Sequence, residues 1–274
     1  MTKRQQDLHF TRVSGAQGSP EKWCLVLHGI LGSGANFRAV ARALTEARPE
    51  WGTLLVDLRM HGRSQDMEGE HTVTNAARDL FRVVEQAPGP VRGIMGHSFG
   101  GKVALAHLGM LEQPLERAWI LDSNPGPRPD RAGSDETLAV LDMLDELPAR
   151  FPDRAAFVAH VVERGFSQML GQWLAMNLIR EEDGGFRFGL QLSAIRSLLD
   201  DYFELDLWPV IEQSATPIEL VIAGRSQVFG AADRQRATQS AQRRGVRVHD
   251  MPDAGHWLHV DAPEGLHTLL VAEM

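Results

Sequence analysis

The chain carries the run Val91-Arg-Gly-Ile-Met-Gly-His-Ser-Phe-Gly-Gly101, in which a glycine-flanked serine interrupts a series of apolar residues. The helical pattern Lys102-Val-Ala-Leu-Ala-His-Leu follows it directly. Together they predict a strand, a sharp turn and a helix. Residues 96–100 fit Gly-x-Ser-x-Gly, a turn that holds serine in a strained conformation and needs nearly side-chain-free positions on either side. The hydroxyl of Ser98 is therefore expected at the tip of a strand.

Strand and helix patterns alternate around this turn over most of the chain. Apolar runs that predict strands begin near residues 8, 23, 53, 91, 117, 217 and 246. Helix-period segments separate several of them, including one near Phe37, one at Val73 and a closing one from about Pro263. Such alternation implies parallel crossovers. The predicted fold class is α/β, with a mostly parallel central sheet flanked by helices.

The alternation stops from about Ser123 to Asp206. Helix-like segments rich in Met, Phe and Trp follow one another there without an evident strand. We therefore predict that residues 123–206 form a helical cap, or lid, inserted after the strand that ends at Asp122. Residues 1–122 and 207–274 form the predicted core.

Composition and charge exclude several classes of protein. The 274 residues are 43% hydrophobic, enough to bury a substantial core, and the formal net charge is −8. A phosphate-backbone partner needs clustered Lys and Arg, so nucleic acid is not an expected ligand. The sequence lacks a run of about 18 apolar residues, so no integral membrane association is expected and a cytoplasmic location is predicted. Cys24, the single cysteine, excludes an internal disulfide.

A serine hydroxyl needs a histidine base to act as a nucleophile, and that histidine needs a carboxylate to fix its tautomer. Of the eleven histidines, His256 is placed best, in a short glycine-containing loop between the last predicted strand and the final helix. Loops at the carboxyl ends of parallel strands gather at one edge of the sheet, where Ser98 is also expected. His259 is the competing candidate by the same argument.

The neighbouring histidines favour structural roles. His97 is adjacent to Ser98 in a tight turn, so its side chain is expected to point away from the serine. His28 and His61 stand beside glycines in loops after strands, a position typical of hydrogen-bonded structural histidines. The sequence lacks the H-E-x-x-H spacing of a zinc site, so neither a metal nor a cofactor is predicted.

Four motifs follow one another over nearly the whole chain: His28-Gly-Ile-Leu-Gly-Ser33, Asp57-Leu-Arg-Met-His-Gly-Arg-Ser64, Gly96-His-Ser-Phe-Gly-Gly101 and Gly255-His-Trp257. This combination resembles the α/β-hydrolase superfamily, and within it the YbfF-like and abhydrolase-domain branch of small esterases. The resemblance implies an α/β-hydrolase fold. It also implies a serine esterase that cleaves carboxylic esters, or thioesters, through an acyl-enzyme formed on Ser98.

The carboxylate of the triad is less clear than its other members. Many members of the superfamily place it after the penultimate strand, where this chain has Ser226, which cannot supply the charge. Asp122 ends the strand that follows the serine helix, at a carboxyl strand end, and the resemblance implies that this branch uses that location. We predict that Asp122 orients His256. Capping of the turn after Asp122 is the alternative role, and Asp233 is the reserve candidate for the acid.

A tetrahedral oxyanion needs two preorganised N–H donors. The amide of Phe99 is one candidate, and the resemblance implies Ile30 as the other, with Leu31 close enough to remain an alternative. A phosphate-binding turn at residues 28–34 is disfavoured because the loop lacks both the G-x-G-x-x-G spacing and the Walker lysine. The Asp57 motif is interpreted as a structural brace made by charge-assisted hydrogen bonds.

Apolar side chains in the predicted cap recur at helical spacing, at Phe166, Met169, Leu170, Trp173 and Met176. This pattern is typical of a helix that packs on the body of the protein. A lid over the strand ends also faces Ser98, so Met169 and Trp173 are candidate substrate-binding residues, together with Trp257.

The predicted partner is a small-molecule ester or thioester. Two other functions remain open at this point. The same triad would serve C–C bond hydrolysis, acyl transfer or a lyase reaction, and a non-catalytic ligand-binding protein can keep the fold.

Overall fold

The computed structural model describes residues 7–16, 19–182 and 184–274. The strands are β1 (Phe10–Val13), β2 (Lys22–Leu27), β3 (Trp51–Val56), β4 (Val91–His97), β5 (Arg117–Leu121), β6 (Leu178–Arg180), β7 (Phe186–Phe188), β8 (Ile218–Ala223) and β9 (Val246–Met251). The helices are α1 (Arg38–Ala47), α2 (Val73–Glu85), α3 (Phe99–Leu108), α4 (Asp135–Asp145), α5 (Arg154–Glu163), α6 (Gln168–Leu174), α7 (Leu192–Glu204), α8 (Trp208–Gln213), α9 (Ala231–Ser240), α10 (Leu258–Asp261) and α11 (Pro263–Glu273). Short 3₁₀ turns lie at Gly34–Phe37 and Ala175–Asn177.

The central sheet has seven strands within the described residues, in the order β1-β3-β2-β4-β5-β8-β9. β1 pairs with β3 in antiparallel register, and the remaining neighbours pair in parallel. The central strands are buried on both faces, which explains why they read as continuous apolar runs instead of alternating patterns. The predicted α/β class with a mostly parallel sheet is confirmed.

Helices cover both faces of this sheet. α2 and α3 pack on one face and α1 and α11 on the other. α2 shows why the sequence folds this way: Thr72 caps its first turn by accepting a hydrogen bond from the Asn75 amide, and its fully buried side chains follow a helical period. Burying each larger side chain, such as Leu80, contributes roughly 1.5–3 kcal/mol.

The segment 123–206 contains helices α4 to α7. It also contains a short antiparallel pairing of β6 with β7, which corrects the expectation that this segment lacks strands. Each of these strands has three residues, too few for an alternating pattern to stand out from helical periodicity. The ring of Phe188 in β7 stacks on Phe157 of α5, so the hairpin packs on the helices of this segment.

Lys102 ties this segment to the core. Its side chain is fully buried in α3, and Nζ donates hydrogen bonds to the carbonyl oxygens of Gly126, Tyr202 and Leu205, at 2.8, 2.6 and 2.7 Å. One of these carbonyls lies where the chain leaves β5, and the other two lie where it leaves α7. A single ammonium group therefore joins the two ends of the inserted segment to the helix that follows Ser98.

None of the helices in the described residues is long and apolar enough to cross a membrane.

Candidate active site

Ser98 occupies the tight turn between β4 and α3 that its glycines predicted. Its φ of 53° lies in a region that residues with a side chain rarely adopt. A Cβ atom on Gly96 would lie 2.1 Å from the carbonyl oxygen of Gly100, and one on Gly100 would lie 2.5 Å from that of His28. The close approach of these backbones therefore requires glycine at both positions.

The structure brings Ser98, His256 and Asp122 into one hydrogen-bonded chain. The Oγ of Ser98 lies 3.0 Å from Nε2 of His256, and Nδ1 of His256 lies 2.7 Å from Oδ2 of Asp122. Because an ionised carboxylate accepts hydrogen bonds, Nδ1 carries a proton and Nε2 of a neutral ring is free to accept the serine hydroxyl proton. This is the geometry that an activated serine requires.

The order of strands in the sheet explains this convergence. β4 pairs with β5 so that His97 lies opposite Leu121, which places Ser98 and Asp122 at neighbouring strand ends. β9 is separated from β5 by β8 alone, and the loop after β9 returns His256 to the same edge. Ser98, Asp122 and His256 therefore meet at the edge of the sheet formed by the carboxyl ends of the parallel strands.

Asp122 is fully buried, and both of its carboxylate oxygens are engaged. Oδ1 accepts a hydrogen bond from the Ala223 amide at 3.1 Å, while Oδ2 faces His256. The two alternative candidates lie elsewhere. Asp233 accepts a hydrogen bond from the Gly230 amide at the start of α9, and Ser226 accepts one from the Val228 amide. The structure therefore brings Asp122, and neither of these, to the histidine.

His97 points away from the serine and holds the backbone of His256. Its Nε2 donates to the carbonyl oxygen of His256 at 2.7 Å. Burial, reinforced by the neighbouring His256 and His259, lowers the pKa of His97 well below its ordinary value, so the ring stays neutral. His259 packs on Phe37 with ring centroids 4.5 Å apart, and burial lowers its pKa to about 4. It does not contact Ser98.

The loop that contains Ile30 is held by histidine side chains. Nε2 of His61 accepts a hydrogen bond from the Leu31 amide at 3.1 Å, which removes Leu31 as an oxyanion donor. Nε2 of His28 accepts one from the Leu58 amide at 3.0 Å. Among the described residues, none accepts a hydrogen bond from the Ile30 amide. Ile30 and Phe99, which begins α3, line the same cavity as Ser98.

Both loop histidines act as neutral acceptors. Burial lowers the pKa of His28 to about 4. Burial, together with the neighbouring His28, lowers that of His61 to about 3. The prediction that these are hydrogen-bonded structural residues agrees with these contacts. A protonated ring would lose the lone pair that each backbone amide needs.

The Asp57 motif braces this loop through charge-assisted hydrogen bonds, in agreement with its interpretation as a structural brace. Asp57 accepts hydrogen bonds from the amides of Gly34 and Arg63, at 2.8 and 3.0 Å. Arg59 turns away and pairs with Asp79 at 2.7 Å. The aspartate therefore joins two loops through backbone amides, and the arginine ties the motif to α2.

Two cavities adjoin Ser98. The larger has a volume of about 490 Å³, and the smaller, of about 50 Å³, lies under the cap. Trp257 lines both cavities and Trp173 lines the smaller one, with their ring centroids 4.7 Å apart. The side chain of Met169 is 59% exposed and lies outside both linings, and its neighbour Leu170 takes its place.

Other lining residues escaped the sequence reasoning. They include Arg128 from the loop after β5, Thr137 and Val140 from α4, and Leu199, Tyr202 and Phe203 from α7. Periodicity reveals that α7 is amphipathic but not that its apolar stripe borders a cavity. Arg128 lies in a proline-rich segment that the sequence indicated only as a turn.

The model of the alpha/beta hydrolase family matches residues 24–268, and the protein belongs to this family. Its relatives include the sn-1-specific diacylglycerol lipase ABHD11 of Danio rerio, 26% identical over 86% of this chain and 73% of the relative. They also include esterase YbfF of Escherichia coli strain K12, 26% identical over 88% of this chain and 89% of the relative. A solved structure, described as a marine microorganism esterase, shares the fold with a TM-score of 0.83 at 21% identity, over 98% of this chain and 100% of that one.

These similarities confirm the predicted fold and the resemblance to the small esterase branch. They also agree with the prediction of an ester-hydrolysing enzyme of this fold.

Proposed function

We propose that the protein is a serine hydrolase that cleaves carboxylic esters, or thioesters, of small molecules through an acyl-enzyme on Ser98. The observation that carries this proposal is the continuous hydrogen-bonded chain from Ser98 through His256 to the buried Asp122. Each of the three side chains has the partner that its chemical role requires.

In this mechanism, Oγ of Ser98 attacks the substrate carbonyl carbon while Nε2 of His256 takes the hydroxyl proton. Asp122 keeps the Nδ1 proton in place and stabilises the imidazolium that forms. His256 then gives its proton to the leaving alcohol or thiol. A water molecule, deprotonated by the same nitrogen, attacks the acyl-enzyme and releases the carboxylic acid and free Ser98.

The backbone amides of Ile30 and Phe99 are proposed to donate hydrogen bonds to the negative oxygen of the tetrahedral intermediate. Both residues border Ser98, and the Ile30 amide has no acceptor among the described residues. The first amides of a helix also lack intrahelical acceptors, which leaves the Phe99 N–H available. Donors of this kind contribute roughly 2.7–4 kcal/mol each to the stability of the transition state.

The segment 123–206 is proposed to act as a lid over this site. Its helices α4, α6 and α7 supply residues to the cavities beside Ser98. Trp173 and Trp257 are proposed to contact the substrate. Esterase YbfF and the diacylglycerol lipase ABHD11 act, by their names, on esters, which supports the same reaction for this chain.

The proposal is tested by measuring hydrolysis of neutral p-nitrophenyl esters of increasing acyl length. Wild-type protein is compared with Ser98→Ala and with Ser123→Ala as the matched control. Ser123 is a buried serine in the adjacent turn, and its hydroxyl has no partner among the described residues. We expect turnover by wild type and the control, and a loss of about 10⁶-fold in kcat for Ser98→Ala. Turnover by Ser98→Ala at the wild-type rate would refute the acyl-enzyme mechanism.

A further inference from the structure

Arg128 is a buried cation without an acidic partner. Its side chain lies in the loop after β5, and the residue is 7% exposed. Nη1 donates to the carbonyl oxygen of Ala132 at 2.7 Å and Nη2 to the hydroxyl of Tyr202 at 3.2 Å, while Nε has no acceptor. In the part of the chain that the structure describes, no carboxylate forms an ion pair with it. Buried arginines are ordinarily paired, so this one calls for an explanation.

The guanidinium lies at the wall of the larger cavity beside Ser98. Phe99 and Tyr202 connect Ser98 to the guanidinium. Phe99 follows the serine, and the centroid of its ring lies 6.2 Å from that of Tyr202. The Tyr202 hydroxyl in turn accepts a hydrogen bond from Arg128. A ligand in this cavity therefore reaches the serine at one place and the guanidinium at another.

A second buried basic residue, Lys102, lies close to Arg128. Nζ of Lys102 and the guanidinium of Arg128 both lie over the ring of Tyr202, at 4.6 and 5.5 Å from its centroid. The hydrogen bonds of Lys102 go to carbonyl oxygens, and the carboxylates of Asp206, Asp201 and Asp233 favour its charge without forming an ion pair with it among the described residues. Burial, and then the positive charge of Arg128, lowers the pKa of Lys102 to about 7, as expected for two cations that share one buried region.

Three carboxylates also border the cavity, those of Asp135, Glu136 and Asp261, but all three residues are exposed. Water and salt screen exposed charges far more than buried ones. These carboxylates would repel a doubly charged anion more than a single carboxylate. Because its charge is screened less, the buried guanidinium of Arg128 sets the electrostatic potential on its side of the cavity. The site therefore favours a singly charged anion.

We propose that Arg128 binds a carboxylate of the substrate, so that the preferred esters carry one carboxylate away from the bond that is cleaved. This assignment rests on the proposed function and specifies its substrate class. The planar guanidinium matches a carboxylate in shape and offers N–H groups beyond the two that Ala132 and Tyr202 occupy. The carboxylate belongs either to the acyl part or to the alcohol part of the ester, and the substrates below distinguish the two.

The test compares charged and neutral esters of matched length. The acyl arm uses p-nitrophenyl hemiglutarate against p-nitrophenyl pentanoate, and the alcohol arm uses 4-acetoxybutyrate against butyl acetate. Each pair is measured with wild type, with Arg128→Gln and with Arg131→Gln. Arg131 is the matched control, because it lies in the same loop but is exposed, pairs with Asp200 and does not line the cavity.

We expect wild type to prefer the charged ester in one arm by at least about tenfold in kcat/KM, the scale of one charge-assisted contact. Arg128→Gln should lose this preference while still hydrolysing the neutral ester, and Arg131→Gln should keep it. A purely structural role for Arg128 would lower both rates together. An unchanged preference in Arg128→Gln, or equal rates for both esters in wild type, would overturn the assignment.

Inhibition of wild-type protein provides a readout that does not depend on the folding of a variant. The singly charged monoamide of glutarate should compete with p-nitrophenyl pentanoate, and the neutral diamide of glutarate should not. Equal effects of the two compounds would overturn the carboxylate site. The proposed function fails separately: it would be refuted if wild type hydrolysed none of the esters, whereas hydrolysis without charge preference would refute the role of Arg128 alone.

Discussion

The proposed oxyanion loop, residues 28–34, and the proposed cap, residues 123–206, are built in different ways. The loop is held by side chains that accept hydrogen bonds from backbone amides, with Asp57 and His61 as the main acceptors. The helices of the proposed cap pack through apolar side chains in addition to the hydrogen bonds of Lys102, and large apolar side chains remain at the surface, including Val162, Met169, Met176 and Ile179. The loop has one arrangement in which the amides of Leu31 and Gly34 find these acceptors, whereas apolar packing tolerates exchange of one side chain for another.

Under the proposed function, this difference separates the part of the protein that performs the chemistry from the part that selects the substrate. Donors and acceptors of a reaction must be held to a fraction of an ångström, which paired backbone amides achieve. A cap that selects by shape has no such requirement. The predictions below change one region and then the other.

After the loss expected for Ser98→Ala, the largest effect is expected at Asp122, the carboxylate that contacts His256. Asp122→Asn preserves the size of the side chain but removes the charge, and we expect kcat to fall by about 10⁴-fold. Asp233→Asn, the control, should stay within about twofold, because Asp233 caps α9 and surface substitutions of this kind have small effects. Ester hydrolysis measures both. If Asp233→Asn were inactive and Asp122→Asn normal, the assignment of the acid would be reversed.

The next effect is loss of stability in acid. Burial lowers the pKa of His28 to about 4 and of His61 to about 3, against about 6.5 in the unfolded chain. Below pH 6.5 these two histidines bind protons in the unfolded state but stay neutral in the folded state. The stability present above pH 6.5 therefore falls as the pH drops toward 4, by up to about 1.4 kcal/mol per pH unit for each histidine.

Urea denaturation between pH 4 and 8 checks this linkage, with His61→Gln as the variant. The glutamine oxygen can accept the Leu31 amide hydrogen but does not titrate. The free energy of unfolding of the variant should depend less steeply on pH than that of wild type below pH 6.5. Parallel curves over the whole range would show that His61 is not held neutral.

A smaller loss of stability is expected where the cap joins the core. Lys102→Met keeps the length of the side chain but leaves the carbonyl oxygens of Gly126, Tyr202 and Leu205 without their donor. We expect a loss of about 1–3 kcal/mol in unfolding free energy and faster proteolysis within the cap. Lys22→Met, which removes a partly exposed ion pair with Glu116, should cost less than about 1 kcal/mol. Equal losses would exclude a special role for Lys102.

The smallest effect is expected inside the cap, on acyl-chain preference. Trp173→Ala enlarges the smaller cavity beside Ser98, so it should shift the preferred acyl length toward longer chains by several-fold in kcat/KM. Met169→Ala should leave the preference unchanged, because the exposed Met169 lies outside both linings. A shift caused by Met169→Ala and not by Trp173→Ala would show that the cap closes differently around the substrate.

The sequence predicted the residues of the proposed triad and its turn better than the residues that line the cavities. Gly96 and Gly100 are required by backbone contacts, and Asp122 stands at the end of an apolar run, at the location that the family resemblance implied, so each leaves a trace in the residue pattern. The residues that line the cavities leave no such trace in the sequence. Leu170 and Met169 are neighbours of similar character on one helix, and only the rotation of that helix decides which of them borders the cavity. The role proposed for Arg128 could not be predicted for a similar reason, because the sequence does not show which acidic side chains lie near it in the folded protein.

The most direct measurement of the central claim is the mass of the intact protein after exposure to a fluorophosphonate, followed by peptide mapping. Wild type should gain the mass of a single adduct on Ser98, because His256 and Asp122 make this hydroxyl nucleophilic. Ser98→Ala should gain none, and His256→Ala should react far more slowly. An adduct on another residue, or equal labelling of wild type and His256→Ala, would contradict the account.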